Sequence, residues 1–236
     1  MLAVLKRELK AYLLSPIGYV FMGFFLLVVG LFFALTNLAS LSSQFNSVLS
    51  SISLIFLFVV PLLTMRLLSE EKKSKTDQLL LTSPLPISSV VVGKYLAAVC
   101  MFLLTIVLTF IFPIILSALG DPSASEIAAG YIGFFLMGCS FISVGLFMSA
   151  LSENQVSAAA STFALLLVFY LLDVVTPSIQ VDWLVNILSW FSIGSRLTDY
   201  IYGVVSLSST IYYISFSAIF VFLTVRVLEK RRWSQS

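Results

Sequence analysis

The sequence predicts an all-α membrane protein with six transmembrane helices, and three observations carry that prediction. Apolar residues make up 60% of the 236 residues and charged residues only 10%, with a mean hydropathy of +1.09, whereas soluble domains sit near about 45–50% and about 25%. Six stretches are long and apolar enough to span a bilayer, which takes about 20 residues. With six spans, 12 of the 13 basic residues fall on one side of the membrane: Lys6, Arg7, Lys10, Arg66, Lys72, Lys73, Lys75, Lys94, Arg226, Lys230, Arg231 and Arg232. Only Arg196 lies opposite. The positive-inside rule then puts both termini in the cytoplasm and the chain in the cytoplasmic (inner) membrane.

Residues 1–15 come first. Leu2, Leu5, Leu9, Tyr12 and Leu13 recur at helical spacing, with Lys6, Arg7 and Lys10 between them. That pattern reads as an amphipathic helix lying in the cytoplasmic interface, and Ser15-Pro16 ends it. The long apolar run that follows, with no small-residue cleavage site, reads as a retained span rather than a signal sequence. The spans run from about Ile17 to Leu38, Ile52 to Leu68, Val90 to Leu119, Ala128 to Leu151, Val156 to Val175 and Thr210 to Leu228. Ser47 to Ser51 is expected to add a turn to the second. Pro61 and Pro113 are expected to kink the second and third. Gly138, Gly145 and Ser152 repeat every seven residues on the fourth, and Ser157, Ala160, Ser161 and Ala164 form small pairs on the fifth. Small residues of this kind let helices approach closely in lipid.

Two further segments stand outside the spans. The loop 69–89 reads SEEKKSKTDQLLLTSPLPISS, with good helix formers from Glu70 to Thr82 and a stop at Ser83-Pro84-Leu85-Pro86. Its charges precede the apolar Leu79 to Leu81, so a short helix here offers a mixed surface to a partner. The external segment 177–207 holds Trp183, Leu184, Ile187, Leu188, Trp190 and Phe191, interrupted by polar residues, Gly194 and Arg196. It reads as short helices dipping into the outer leaflet. A seventh span is the alternative, and it would move the C-terminal basic cluster outside.

The chemistry that is missing narrows the function. There is no His, hence neither the commonest metal ligand nor the commonest general base. Cys100 and Cys139 lie in apolar runs and imply no disulfide framework. Gly93-Lys94 lacks the rest of a P-loop, and no GxSxG occurs. The six span cores are expected to hold no ionisable residue, with Asp173 the nearest case, so an ion-coupled transporter is disfavoured. No catalytic, cofactor-binding or metal residue is expected, no nucleic-acid partner, and no enzyme activity.

This order of features resembles ABC-2 type permeases, the membrane subunits of a class of ATP-driven exporters. The start LKRELKAYLLSPIGYVF, the loop MRLLSEEKKSKTDQLLLTSPLPISSVVVGKYLA and the run SWFSIGSRLTDYIYGVVSLSSTIYYI carry the resemblance. The last is similar to the branch associated with gliding-motility and nitrous-oxide-reductase maturation permeases. The resemblance implies one transmembrane domain over residues 1–236 and a pair of permeases, homodimeric or heterodimeric. It also implies a separate cytoplasmic ATPase that binds ATP and Mg. The loop helix would be a coupling helix touching that ATPase through Glu70, Glu71, Lys72, Lys75, Thr76, Asp77, Gln78 and Leu79, together with the interfacial helix and its Lys6, Arg7 and Lys10. The external reentrant segment, with Trp183, Trp190, Arg196 and Asp199, is also a family feature. Export driven by the partner ATPase is the leading reading. The alternative is an ATP-driven anchor or mechanical subunit acting on an extracytoplasmic partner.

Overall fold

In the computed structural model the described residues are 1–73, 86–176, 183, 185, 188, 190 and 192–234. They form α1 (Leu2–Leu14), α2 (Pro16–Phe33, prolonged by a π-helical turn, Ala34–Leu38), α3 (Asn46–Thr64), α4 (Ser69–Lys73), α5 (Ile87–Thr109), α6 (Ile111–Leu119), α7 (Ala124–Leu151), α8 (Gln155–Val175), α9 (Leu197–Ile201) and α10 (Leu207–Ser234). Among the described residues six helical stretches are long and apolar enough to cross a membrane: Pro16–Leu38, Asn46–Lys73, Ile87–Leu119, Ala124–Leu151, Gln155–Val175 and Leu207–Arg232. The chain is a multi-pass membrane protein. α1 and the last turn of α10, with Arg231 and Arg232, lie at one end of the six helical stretches.

The second span begins at Asn46, a turn and a half before the apolar run. Its serines make that possible. Ser47 donates to Gln44 O, Ser51 to Ser47 O and Ser53 to Ser50 O, so their hydroxyls are satisfied by their own helix. α1 ends where expected, at an extended Ser15 (ψ 148°) ahead of Pro16. Its buried face differs from the leucine stripe read from the sequence. Val4 and Tyr12 are buried, Leu5, Leu9 and Leu13 are half-buried, and Leu2 is exposed. Glu8 sits midway between Val4 and Tyr12, one helical turn from each, and α1 turns that face to α5.

α7 is the central helix, in contact with α3, α5, α8, α9 and α10. Of its most apolar stretch 67% is buried inside the protein, against 22% for α8 and α10, so α7 is the element the others pack around. Its seven-residue glycine repeat explains how. A Cβ on Gly138 would lie 2.1 Å from the Phe102 ring, and one on Gly145 2.2 Å from Thr64 Oγ1. Phe102 in turn meets Phe56 at a ring-centroid distance of 4.9 Å, and Phe56 meets Phe134 at 5.2 Å and Phe25 at 5.8 Å. In lipid, where apolar transfer gives helices little reason to associate, this close packing supplies the attraction.

The two intrahelical prolines act differently. α3 runs through Pro61 without a break. Pro113 divides the third span into α5 and α6. It has no N–H for Thr109 O, the acceptor four residues back, and Tyr131 donates its hydroxyl to that carbonyl at 3.2 Å instead.

Replacing Gly138 by Leu drives a side chain into Phe102. It is expected to cost about 1–3 kcal/mol, the usual price of overpacking, read as a lower midpoint of thermal unfolding in detergent. A wild-type midpoint would mean that the Gly138 contact does not hold the bundle.

Candidate functional site

At the basic end, α3 loosens into a turn over Met65, Arg66, Leu67 and Leu68 before α4 starts at Ser69. A helix that loosens leaves backbone groups to be satisfied elsewhere, and here side chains of three other helices take them. From α1, the buried Tyr12 donates its hydroxyl to Leu63 O at 2.7 Å. From α5, Lys94 donates to Leu67 O at 2.7 Å. From α7, the buried Ser149 accepts from the amides of Leu68 (3.0 Å) and Ser69 (3.1 Å) and donates to Met65 O at 3.2 Å.

Lys94 is the centre of this site. Its side chain is 2% exposed, and besides Leu67 O it meets Glu8 Oε1 at 3.1 Å and Glu71 Oε1 at 2.9 Å. An ammonium group has three N–H donors, and each has an acceptor from a different place: α1, α4 and the loosened turn. Arg7 closes the group, 2.7 Å from Glu8 and 3.2 Å from the same Glu71 oxygen. Two cations and two carboxylates balance. Burial opposes ionisation of Glu8, but Lys94 and Arg7 outweigh it and hold its carboxyl below the ordinary glutamate range. Gly93, beside Lys94, lets α1 come close: a Cβ there would lie 3.1 Å from Val4.

α4 is also tied to α7. Lys72 donates to Ala150 O and, at 2.8 Å, to Ser152 O. These are orphan carbonyls at the C-terminal end of α7, where a cation is favoured. Of the residues read as partner contacts, Glu71 and Lys72 thus face inward and join α4 to α1, α5 and α7. Glu70 sits at the surface, its carboxylate 2.8 Å from Arg66 Nε and its side chain 44% exposed. Lys6 and Lys10 are exposed and Arg7 is shared between surface and cluster. Lys75, Thr76, Asp77, Gln78 and Leu79, with most of the loop helix, lie outside the described residues.

The expectation of uncharged span cores is corrected by Lys94, which stands seven residues beyond the start of α5 and is nearly inaccessible. The signal was available: a lysine inside a segment drawn as a span marks an intramembrane ionisable group in need of a partner. Glu8, at helical spacing between Val4 and Tyr12, was the matching half.

The opposite end is fastened by uncharged donors and two carboxylates. Asn46 gives its amide to Glu126 O (2.8 Å) and Ile201 O (2.7 Å), joining α3, α7 and α9. Asp173 accepts from Ser192 and from the Gly194 amide at 2.8 Å, so it anchors the turn before α9. Arg196 lies 4.0 Å over the Tyr212 ring, and Asp199 accepts from Ser209 at 3.4 Å. Trp183 and Trp190 are exposed. Apart from these two and from Val185 and Leu188, the segment 177–191 lies outside the described residues. Among the described residues no cluster of His, Cys, Asp and Glu suited to a metal ion occurs.

A family model described as ABC-2 family transporter protein matches residues 33–227, which is most of the chain and includes α4 and Lys94. No curated protein matches the chain at a significant level.

Two outcomes follow from this geometry. Lys94→Met leaves Glu8 and Glu71 without the buried cation they share, with the more exposed Arg7 still beside both. Removing one partner of a buried ion pair costs about 3–5 kcal/mol, measured as thermal stability in detergent, and adding Glu8→Gln and Glu71→Gln should recover part of it. The depressed pKa of Glu8 fixes the sign with pH. Its contribution is complete above the unfolded glutamate value, about 4.3, and is lost as pH falls through the lower folded value. Protection of the α1 amides, taken from hydrogen exchange after division by the intrinsic pH-dependent rate, should therefore lose the Glu8 contribution only as pH falls below the unfolded glutamate value of about 4.3.

Proposed function

The chain belongs to the ABC-2 transporter family, and from that premise we propose that it is the permease subunit of an ATP-driven exporter whose ATPase is a separate chain. Two permease copies, identical or related, would pair in the cytoplasmic membrane, each carrying an ATPase that binds ATP and Mg on its basic, cytoplasmic face. The sequence count, in which six spans leave 12 of 13 basic residues on one side, supports that orientation. The end run SWFSIGSRLTDYIYGVVSLSSTIYYI supports the gliding-motility and nitrous-oxide-reductase maturation branch.

The observation that carries the reading is the Lys94 cluster. The loop 69–89 is the coupling element, and its first turn, α4, is fixed to the bundle at two points: Glu71 on Lys94, and Lys72 on the end of α7. A displacement of the loop by a closing pair of ATPases is then passed to α1 and α5 through the ion cluster and to α7 through its carbonyls. Transport follows as a repacking of spans about the subunit pair.

A second reading, mechanical work on an extracytoplasmic partner without passage of a substrate, is favoured by the exposure of Trp183 and Trp190 at the outer end. Measured flux with an intact outer-end variant pair, Trp183→Ala and Trp190→Ala, separates the two: unimpaired flux supports export.

Glu70→Lys tests coupling apart from folding. It disturbs a surface i,i+4 pair worth about 0.3–0.5 kcal/mol, so thermal stability should hold. Stimulation of the co-purified ATPase should fall about fivefold or more, the lower range of coupling energies. Unchanged assembly and unchanged stimulation would rule out the coupling role.

A further inference from the structure

A cleft between α5, α7 and α10 takes no part in the network above. It encloses about 340 Å³ and is lined by Tyr95, Leu96, Cys139, Ser217, Ala218 and Val221 among others. Its polar atoms are already engaged: the Tyr95 hydroxyl donates to Cys139 O at 3.2 Å, and the Ser217 hydroxyl lies 3.4 Å from that of Ser140. An occupant therefore meets an apolar wall. The flank of α10 beside it is apolar and exposed, with Ile219 and Phe222.

Below the cleft the chemistry changes sign. From Val221 to Leu228 is seven residues, about 10 Å of helix, and beyond lie Lys230, Arg231 and Arg232. Arg232, eleven residues after Val221, returns to the same face after three turns and is exposed. α5, which packs against α10, begins at Ile87 at this end, with Ser88 and Ser89 one turn below Val92 and no side-chain cap on its first amides. An apolar slot at the depth of acyl chains thus stands over a cationic collar at the depth of head groups.

We propose that this cleft holds one acyl chain of an anionic phospholipid of the cytoplasmic leaflet, with its head group at Arg232 and the first turn of α5. A second copy of the chain is the poorer occupant on electrostatic grounds. In a two-fold contact through this face the collar would meet itself, positive against positive. The assignment of leaflet rests on the proposed orientation; the lipid site does not rest on ATPase coupling.

The test uses the full chain in nanodiscs of mixed phosphatidylglycerol and phosphatidylcholine, which carry both lipids in both leaflets, followed by native mass spectrometry of the released protein. The wild type should retain phosphatidylglycerol over phosphatidylcholine. Ala218→Trp fills the cleft and should abolish that retention, while Ile219→Trp, equal in bulk but on the exposed face, should keep it. Arg232→Gln should lower the preference about fivefold, the equivalent of about 1 kcal/mol for a basic residue at an anionic membrane surface. Equal retention of both lipids by the wild type overturns the proposal, as does unchanged retention in Ala218→Trp. If that variant does not fold, unchanged selectivity in Arg232→Gln overturns it alone. A shift in dimer fraction with lipid retention unchanged assigns the cleft to a second copy instead. Topology mapping of the termini is a separate measurement, so failure of the lipid site and failure of the orientation are told apart.

Discussion

One buried ammonium group organises the basic end of this protein. Lys94 is removed from water, and an ammonium in that position is strongly unfavourable unless every donor is met and the charge is balanced. The three acceptors come from α1, α4 and the loosened turn after α3. None of the three sites suffices alone. Losing any one of them leaves part of the desolvation cost uncompensated, so the three elements are held together or not at all. The same turn is claimed by Tyr12 and Ser149, which extends the dependence to α7. A surface salt bridge would not have this property, because water replaces a lost partner at little cost.

The two ends of the bundle are built differently. The end away from Lys94 is closed by an Asn46 amide on two carbonyls and by the Asp173 carboxylate on a backbone amide. These fix the register of a turn and are short-ranged. The basic end uses charges that reach across four helices. Between the ends lies α7, whose glycines receive Phe102 and Thr64 and whose last carbonyls receive Lys72. It is thereby in contact with the aromatic core and with the loop that follows the second span.

The spans were legible because a bilayer imposes a simple demand. Every backbone polar group must be paired within its segment, so long apolar runs become helices, and the glycine repeat on the fourth span announced close packing. The site was legible only in part. Glu70 to Lys72 stood out as charges in a loop, but nothing in the local sequence says that Glu71 and Lys72 turn inward, since their partners lie on α5 and α7. Lys94 was visible and was read for its bearing on topology and, with Gly93, as an incomplete P-loop. Glu8 was masked by the leucines of α1, whose stripe suggested a lipid-facing role while Val4, Glu8 and Tyr12 make the protein-facing one. The loosening at Met65 to Leu68 has no glycine or proline to mark it. It exists because side chains from elsewhere supply its hydrogen bonds, a tertiary cause with no local signature.

The break at Pro113 has a mechanical meaning. In an unbroken helix, bending costs the hydrogen bonds on the outer side of the bend. Here the bond that would resist is already missing, and the carbonyl it would have used is held by Tyr131, a side chain of α7. The outer third of the span, α6, is therefore joined to α5 by a joint rather than a rod. It is free to change its tilt while α5 keeps Lys94 and the inner network in register, so the two halves of one membrane crossing answer to different ends of the protein.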